Sequence, residues 1–496
     1  MTINEKYHDY VSIMQRIADV KYASAVLQWD QETYLPPKGA DGRSRQLATL
    51  SELAHQMFTN DKLGNLLSDL NDSEDLNERQ KKNIALSVID YNKSKKFSSH
   101  FVKLMSECVS TSFHAWIQAR KDNSYKIFQP ALSKLIELKR QEAEILGYSD
   151  HPYNALMNDY ERGLTVAMTD KIFSDIEQPL SELLVKVQQL PRPDDSFLYQ
   201  HFPKQQQWEW GQYLARQLGF DEEAGRQDIS EHPFTINFSS KDVRITTRID
   251  EHDFANMTWS TIHEVGHALY EQGLPDAEYG LPLGEYASLS IHESQSRLWE
   301  NCIGRGRAFW EYYYPGLQKS FPKQFGNISL NKFFNAINKV CPSLIRTEAD
   351  ELTYHFHVMI RYELEKLLIE GSLKVEDIPF YWNQQYKSLL GVEVPDDKQG
   401  CLQDVHWSHG SFGYFPTYSM GSFYAAQLWE KIKTDLPNVE LGLASSGSTK
   451  CILQWLRNSI HFQGRFFSSE EVCKSVTGQP LDSKIFLKYM ERKLLG

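Results

Sequence analysis

The sequence predicts a mainly α-helical protein with one small antiparallel sheet. Apolar residues recur at three- and four-residue spacing through long stretches, which is the period of an amphipathic helix. These stretches cover residues 5–29, 40–70, 80–121 and 128–146, and the same pattern resumes after residue 253. The best strand candidates are two short segments that alternate apolar and polar residues instead.

Proline and glycine mark the places where the helical pattern is interrupted. The run PPKG at residues 36–39 indicates a turn between the first two helical stretches. Two prolines in QQLPRPDDS (188–196) end a later helix, and we place a soft domain boundary there. Because 496 residues exceed the usual size of one domain, we expect an N-terminal helical lobe, 1–190, and a catalytic lobe, 191–496.

The two strand candidates lie close together in the chain. FTINFSS (234–240) and VRITTRI (243–249) are rich in β-branched residues, and SSKD stands between them as a turn. They predict a small hairpin just upstream of the most informative helical segment.

Composition and charge exclude several classes of function. The net charge is −12, whereas a nucleic-acid-binding protein normally carries a basic stripe. The six cysteines form no C-x-x-C pair, so the sequence predicts neither a thiolate zinc site nor a disulfide framework. No stretch of 18 apolar residues and no apolar signal-peptide core is present, so we expect a cytoplasmic protein without membrane contact.

The segment DFANMTWSTIHEVGHALYEQGLP (253–275) predicts a metal-binding helix. His263 and His267 are four residues apart, so both reach one ion from the same helix face. Glu264 adjoins the first ligand and is placed to act on a metal-activated water. Three apolar residues on the other side are expected in the core: Ile262, Val265 and Leu269.

A hydrolytic metal site needs a third protein ligand and one open position. SLSIHESQSRLWENCIGRG (288–306) is predicted to be a second helix that ends at Gly304, and it carries Glu293. His292 is the alternative ligand, but it adjoins Glu293 and points about 100° away around the helix. We therefore favour Glu293. These parts predict a zinc hydrolase in which Glu264 is the general base and then the general acid.

Several motifs together resemble the carboxypeptidase Taq family of metallocarboxypeptidases. They occur in the family's order. The stretches WDQETYLPPKGA near the start and WLRNSIHFQGRFF near the end are also similar to the family, so the resemblance covers essentially the whole chain. The motif residues are His232–Pro233–Phe234, Asp242/Arg244/Thr246, His263–His267, His292–Glu293–Ser294–Gln295, Ile345/Arg346/Ala349, and Gly400/Gln403/Asp404/His406/Trp407.

This resemblance implies removal of single residues from the C-terminus of peptides, with broad side-chain tolerance. It also implies a large helical two-lobed fold with a deep substrate groove, and a homodimer. By the same resemblance His263, His267 and Glu293 bind the metal and Glu264 is the base. Zinc is the expected ion, and cobalt is able to substitute for it.

A carboxypeptidase must bind the terminal carboxylate of its substrate, and arginine does so with a bidentate fork. Arg346 is our first choice for this role and Arg244 the second, because a short strand could present it along the groove floor. His232 is expected to help close the blind end of the groove. For each arginine the structural alternative is an ordinary ion pair.

The oxyanion of the reaction needs hydrogen-bond donors near the metal. We favour His406 and Tyr418, with Tyr414 as the alternative to Tyr418. Both tyrosines lie in HGSFGYFPTYSMG (409–421), which is rich in glycine and which we predict to be a loop. A buried tyrosine or histidine that only satisfies a hydrogen bond is the structural alternative.

Two other functions share parts of this pattern. A zinc endopeptidase or dipeptidase of related helical fold would use the same metal motif, and a cationic closed end would distinguish the carboxypeptidase from it. A peptide-binding scaffold without activity would have lost Glu264 or a ligand, and none is lost.

The paired His355 and His357 are predicted to be structural, because residues two apart lie on opposed sides of a helix and so cannot bind one metal ion together.

Overall fold

The computed structural model describes residues 1–496, with the side chain of Ser99 excepted. It is 70% helical, which confirms the predicted fold class. The α-helices of the described chain are α1 (Ile3–Thr33), α2 (Ala40–Phe58), α3 (Asp61–Asn71), α4 (Glu78–Lys95), α5 (Ser99–Asp122), α6 (Tyr125–Leu146), α7 (Tyr153–Met157), α8 (Val166–Gln188), α9 (Lys204–Leu218), α10 (Phe254–Glu271), α11 (Leu289–Arg297), α12 (Arg307–Ser320), α13 (Pro322–Phe325), α14 (Leu330–Ile337), α15 (Tyr354–Glu370), α16 (Ile378–Leu390), α17 (Phe415–Asp435), α18 (Val439–Ser446), α19 (Lys450–Ser459), α20 (Ser469–Thr477) and α21 (Ser483–Leu495). Within the described chain, no helix combines the length and the apolar character needed to span a bilayer.

The chain forms two compact units, and each is assembled from three segments. The first unit comprises Met1–Lys95, Asp194–Ile337 and Tyr424–Pro480. The second unit comprises the three remaining segments, which are Lys96–Pro193, Asn338–Phe423 and Leu481–Gly496. The division at residue 190 into an N-terminal helical lobe and a catalytic lobe stays a prediction.

The first unit contains a three-stranded sheet in the order β1–β3–β2. β2 (Thr235–Ser239) and β3 (Asp242–Thr247) pair antiparallel, which confirms the predicted hairpin. β1 (Gly225–Ile229), which the sequence did not predict, pairs parallel with β3, so the small sheet is mixed rather than antiparallel throughout. The sequence GRQDI of β1 has no apolar alternation, and its one buried residue is Asp228.

Helix α10 lies against β2, β3, α9 and α11. The side chain of Asp253 accepts hydrogen bonds from the backbone N–H groups of Ala255 and Asn256, which caps the helix at its N-terminus. The three apolar anchors predicted for this helix are all fully buried: Ile262, Val265 and Leu269. Their burial holds the opposite face of α10 in a fixed orientation.

Helix α11 begins at the Ser288 cap and continues into a π-helical turn, Leu298–Ile303, which ends at Gly304 as predicted. In a π-helical turn each backbone hydrogen bond spans five residues instead of four, so the side chains that follow point in a different direction around the helix axis. Glu300 lies within this turn.

The second unit is built around α15, which contacts α6, α7, α8 and α16. In this unit the predicted loop over 409–421 is wrong in its second half, because α17 begins at Phe415 and Tyr418 is helical. The positive-φ glycines Gly410 and Gly413 precede the helix. Pro416 stands in its first turn, where a missing N–H costs no hydrogen bond.

Candidate active site

His263, His267 and Glu293 each bring one ligand atom to a common point in the first unit. The Nε2 atoms of His263 and His267 lie 3.8 Å and 3.5 Å from Oε2 of Glu293. The ligand atoms of all three residues lie within 4.8 Å of one another. Two imidazole nitrogens and one carboxylate oxygen form the donor set of hydrolytic zinc sites, so these residues fit a divalent metal ion.

The two helices that carry these residues approach closely at Gly266. A Cβ atom at this position would lie 2.6 Å from Cα of Ser296 and 2.9 Å from the carbonyl oxygen of Gln295. Both neighbours are backbone atoms of α11, so they have no side-chain freedom to move away. The absence of a side chain at Gly266 therefore permits the spacing that brings Glu293 near the histidines of α10.

Arginine and glutamate side chains orient Glu293 and His263. Arg297 donates from Nε to Oε1 of Glu293 at 2.7 Å, so Oε2 is the oxygen that faces the histidines. Nδ1 of His263 lies 2.9 Å from Oε2 of Glu300, which also pairs with Arg297 and Arg305. Because a carboxylate accepts, Nδ1 of His263 carries a hydrogen, so in the neutral ring Nε2 has the lone pair.

The protonation states of Glu293 and His267 suit metal binding. Burial would lower the pKa of His263, but the Glu293 and Glu300 carboxylates raise it. Burial opposes ionisation of Glu293, but Arg297 and His263 hold its pKa well below the usual range. Burial and the nearby His292 lower the pKa of His267 to about 3, so its ring is neutral near pH 7. A neutral imidazole and an ionised carboxylate are the forms that bind a metal ion.

Glu264 is buried beside this donor set, with 7% of its surface exposed. Oε2 of Glu264 lies 2.6 Å from the hydroxyl of Thr235 on β2. Burial raises the pKa of Glu264, and the neighbouring His263 and the Thr235 hydrogen bond oppose that rise. A carboxylate with a raised pKa is a stronger proton acceptor than a solvated one.

His292, the alternative third ligand, lies on the other side of the His267 ring. Its Nδ1 is 2.6 Å from Nδ1 of His267, and its Nε2 is 2.8 Å from Oε1 of Glu271. His292 therefore contacts the nitrogen of His267 that does not face Glu293.

Arg346 belongs to a buried charged cluster in the second unit. Its Nε and Nη2 lie 2.9 Å from Oδ1 of Asp404, and its Nη1 donates to the Tyr354 hydroxyl at 3.1 Å. Arg361 donates from Nε to Oδ2 of Asp404 at 2.6 Å. Burial would raise the pKa of Asp404, but Arg361 and Arg346 hold it well below its usual range. Two guanidinium groups thus face one carboxylate, and one positive charge is in excess among these three groups.

His406 and Tyr418 lie next to that cluster. Nε2 of His406 is 3.1 Å from the Tyr418 hydroxyl, and the Tyr418 ring lies 4.9 Å from the guanidinium carbon of Arg346. Burial and the charge of Arg346 lower the pKa of His406 to about 3, so the ring is neutral. The Tyr414 ring packs on Tyr418 at 4.9 Å between centroids.

Arg244 and His232 belong to the first unit. Arg244 on β3 pairs through two nitrogens with Asp242 at 2.9 Å each. Its guanidinium lies between the rings of Trp29 and Phe238, at 4.5 Å and 4.8 Å from their centroids. The His232 side chain is exposed in the segment between β1 and β2. The local contacts of Arg244 are those of a structural ion pair.

His355 and His357 are fully buried on α15, in agreement with a structural role. Nδ1 of His355 lies 2.9 Å from the Ser419 hydroxyl, and Nδ1 of His357 lies 2.9 Å from the Tyr386 hydroxyl. Different polar partners hold the two rings.

Several polar partners of the candidate residues were not found from the sequence: Thr235, Asn237, Glu271, Arg297, Glu300 and Arg361. Helical spacing offered a signal for two of them. Glu271 follows His267 by four residues and Arg297 follows Glu293 by four, so each pair lies on one helix face. Thr235 and Asn237 come from a strand, and no spacing along the helix indicates them.

Comparison with known proteins covers almost the whole chain. The family model of the carboxypeptidase Taq (M32) metallopeptidases matches residues 9–494. Carboxypeptidase 1 of Bacillus subtilis is 38% identical over 495 residues, and thermostable carboxypeptidase 1 of Thermus thermophilus is 37% identical over 507 residues. Each of these alignments covers 99% of both chains.

Solved structures agree with this result. The M32 carboxypeptidase from Deinococcus radiodurans R1 superimposes with a TM-score of 0.97 at 36% identity, over 99% of both chains. Metallocarboxypeptidase 1 of Trypanosoma cruzi gives a TM-score of 0.94 at 33% identity, over 100% of both chains.

Proposed function

The chain belongs to the carboxypeptidase Taq (M32) metallopeptidases, and from that premise we propose that it is a zinc carboxypeptidase. It releases single residues from the C-terminus of peptides and tolerates many side chains there. The observation that carries this proposal is the convergence of His263, His267 and Glu293 beside the buried carboxylate of Glu264.

His263, His267 and Glu293 would hold the ion, and cobalt would substitute for zinc because it accepts the same ligands. When bound, the metal supplies Lewis-acid polarisation of the scissile carbonyl and lowers the pKa of water at the site. Arg297 and Glu300 keep Glu293 and His263 in the orientation that binding requires.

Glu264 acts as the general base. Its carboxylate takes a proton from the attacking water and then delivers it to the nitrogen of the leaving residue. The Thr235 hydroxyl restricts the rotation of the carboxylate by its hydrogen bond to Oε2. Burial of Glu264 excludes bulk water that would otherwise solvate the base.

Arg346 binds the terminal carboxylate of the substrate, supported by the excess positive charge of its cluster with Arg361 and Asp404. Arg244 is the second choice, because Asp242 alone balances its charge, whereas Arg346 and Arg361 share the single carboxylate of Asp404. His232 contributes to the closed end of the substrate site.

His406 and Tyr418 donate hydrogen bonds to the oxyanion that forms during hydrolysis. The two groups lie 3.1 Å apart, and a neutral His406 has one N–H and Tyr418 one O–H. Both donate to the oxyanion when it replaces their mutual hydrogen bond. Tyr414 remains the alternative phenol. We also propose that the enzyme acts on peptides in the cytoplasm and functions as a homodimer.

The test compares an N-blocked dipeptide with its C-terminal amide as substrates. Purified wild type, Glu264→Gln and Glu278→Gln are assayed with zinc, after chelation, and after zinc is returned. Glu278→Gln is the matched control, because it makes the same change at a carboxylate bound by Asn83 and Arg79. Bound zinc is measured for each protein.

We expect the wild type and the control to cleave the free acid and spare the amide, with activity lost on chelation and restored by zinc. Glu264→Gln should bind zinc and lose activity. Equal cleavage of acid and amide would favour a zinc endopeptidase, and release of two residues at once from longer peptides would favour a dipeptidase. Absence of cleavage by zinc-loaded wild type would contradict an enzymatic role.

A further inference from the structure

We propose that Asn237, Glu271 and His292 form a hydrogen-bonded chain that sets the tautomer of His267, and that they are positioning residues for the metal ligand. This inference rests on the proposed metal-binding role of His267. It concerns the side of the imidazole that faces away from Glu293.

The chain is continuous from β2 to the candidate ligand. The Asn237 amide donates to Oε2 of Glu271 at 2.7 Å, and Oε1 of Glu271 lies 2.8 Å from Nε2 of His292. Nδ1 of His292 lies 2.6 Å from Nδ1 of His267. Nε2 of His267 is then the nitrogen that lies 3.5 Å from Glu293.

The chemistry of these groups fixes the direction of each hydrogen bond. A carboxylate only accepts, so Nε2 of His292 carries the hydrogen that points to Glu271. A ring that carries its one hydrogen on Nε2 has a lone pair on Nδ1. The short contact between the two Nδ1 atoms needs one hydrogen, and His267 supplies it. Nε2 of His267 is left with the lone pair that a metal ion requires.

Burial and packing keep the chain in place. The Glu271 side chain is 4% exposed and the His292 side chain 14%. The His292 ring lies 4.5 Å from the His267 ring and 4.8 Å from the Tyr286 ring, measured between centroids. Rotation of His292 would break its contacts with both neighbours of the chain, so the ring has one hydrogen-bonded orientation.

The two histidine ligands are thus supported differently. His263 donates directly to Glu300, whose charge is shared with Arg297 and Arg305. His267 donates to the imidazole of His292, and the Glu271 carboxylate contacts the other nitrogen of the His292 ring. Loss of the chain should therefore affect His267 selectively and leave the contacts of His263 intact.

Zinc affinity, measured by competition with a chromophoric chelator, tests the proposal apart from activity. Glu271→Gln and His292→Phe should weaken zinc binding about 10- to 100-fold, the usual effect of losing a partner of a metal-bound histidine. His292→Asn should recover part of the loss, since its side-chain oxygen can accept from Nδ1 of His267. Glu278→Gln, the same change at a carboxylate bound by Asn83, should bind zinc as the wild type does.

A measurement on the wild type keeps the proposal testable if a variant does not fold. In the zinc-free protein labelled with ¹⁵N-histidine, His267 should show a protonated Nδ1 and an unprotonated Nε2. The opposite tautomer would overturn the proposal, as would wild-type zinc affinity in both Glu271→Gln and His292→Phe. If the wild type binds no zinc at all, the proposed function is refuted as well. If the wild type binds zinc and both variants bind it with the same affinity, only the role of the hydrogen-bonded chain is refuted.

Discussion

The hydroxyl of Thr235 lies 2.6 Å from Oε2 of Glu264 and 3.0 Å from its backbone carbonyl oxygen. Thr235 stands on β2 and Glu264 on α10, so the sheet supports the proposed base directly. Asn237, two residues further along the same strand, contacts Glu271 on the same helix. Residues two apart share one face of a strand, and residues seven apart share one face of a helix. One face of β2 thus supports two polar residues of α10.

Removal of the Thr235 hydroxyl should slow catalysis. Thr235→Val keeps the shape of the side chain but takes away the donor to Glu264. A hydrogen bond to a charged group contributes about 1.5–3 kcal/mol, so we expect kcat to fall about 10-fold or more. Steady-state kinetics on the N-blocked dipeptide measures the change.

Thr235→Ser is the control, because it restores the hydroxyl, and its kcat should approach that of the wild type. Zinc content and KM should stay unchanged in both variants. An unchanged kcat in Thr235→Val would refute the role of this contact.

A methyl group at Gly266 should separate the two helices of the candidate metal site. In Gly266→Ala the new Cβ would lie 2.6 Å from Cα of Ser296, and only a shift of α11 relieves that contact. Overpacking of this kind costs about 1–3 kcal/mol of unfolding free energy. The displacement of Glu293 should also weaken zinc binding. Chemical unfolding and chelator competition measure the two effects.

Gly442→Ala provides the matched comparison. Gly442 lies within α18, and a Cβ there would meet no atom within 4 Å. Alanine is favoured over glycine in a helix by about 1 kcal/mol, so this variant should be as stable as the wild type or more so. Equal stability of the two alanine variants would show that the close approach at Gly266 is unimportant.

The helix-borne half of the site was predictable because its geometry follows from spacing alone. His263 and His267 share a face of one predicted helix, and the structure brings Glu293 of the next helix to them. Partners from other elements were not predictable, since the position of β2 against α10 depends on tertiary packing. β1 was missed for a related reason: its polar sequence carries no period, and its pairing with β3 decides its conformation.

The helical pattern at residues 80–121 shows that periodicity alone does not locate the ends of helices. The apolar period continues through residues 80–121, but the structure contains two helices there, α4 and α5. Ser98 accepts a hydrogen bond from the backbone N–H of Phe101 and caps the second helix. A cap of this kind starts a new helix without interrupting the apolar period, so periodicity alone predicts one long helix.

Removal of the metal should destabilise the first unit. The proposed ligands come from α10 and α11, and an ion bound by both stabilises the folded state by mass action. At a free zinc concentration 100 times the dissociation constant, the gain is about 2.7 kcal/mol. A chelator should therefore lower the unfolding midpoint, and added zinc should restore it. Glu293→Ala should show no such response, and an equal response in that variant would place the ion elsewhere.

Arg346 should matter for substrate affinity more than Arg244 does. Arg346→Lys replaces the fork by a point charge, so we expect KM for free-acid substrates to rise about 10-fold or more, with a smaller change in kcat. Asp242 alone balances the charge of Arg244, and its guanidinium stacks on Trp29, so Arg244→Lys should affect stability more than KM. A larger KM effect from Arg244→Lys would reverse the two assignments.

Glu365 should make the stability of the second unit depend on pH. This carboxyl group is fully buried and accepts hydrogen bonds from Tyr153, Trp407 and the Gly413 N–H. Burial raises its pKa to about 7, against the opposing effect of these donors. An unfolded chain has an ordinary glutamate pKa of about 4.3. The folded state therefore binds more protons between about pH 4 and pH 7.

The sign of the effect follows from this difference in bound protons. The contribution of Glu365 to stability is fully present below about pH 4, falls as the pH rises, and is lost above about pH 7. The full change is about 4 kcal/mol. Glu365→Gln does not titrate, and the other titratable groups are the same in both proteins. The unfolding free energy of the wild type relative to Glu365→Gln should thus decrease from pH 5 to pH 8.5 in urea titrations. A difference that does not change with pH would show that Glu365 is already ionised at pH 5, in which case its three hydrogen bonds outweigh its burial.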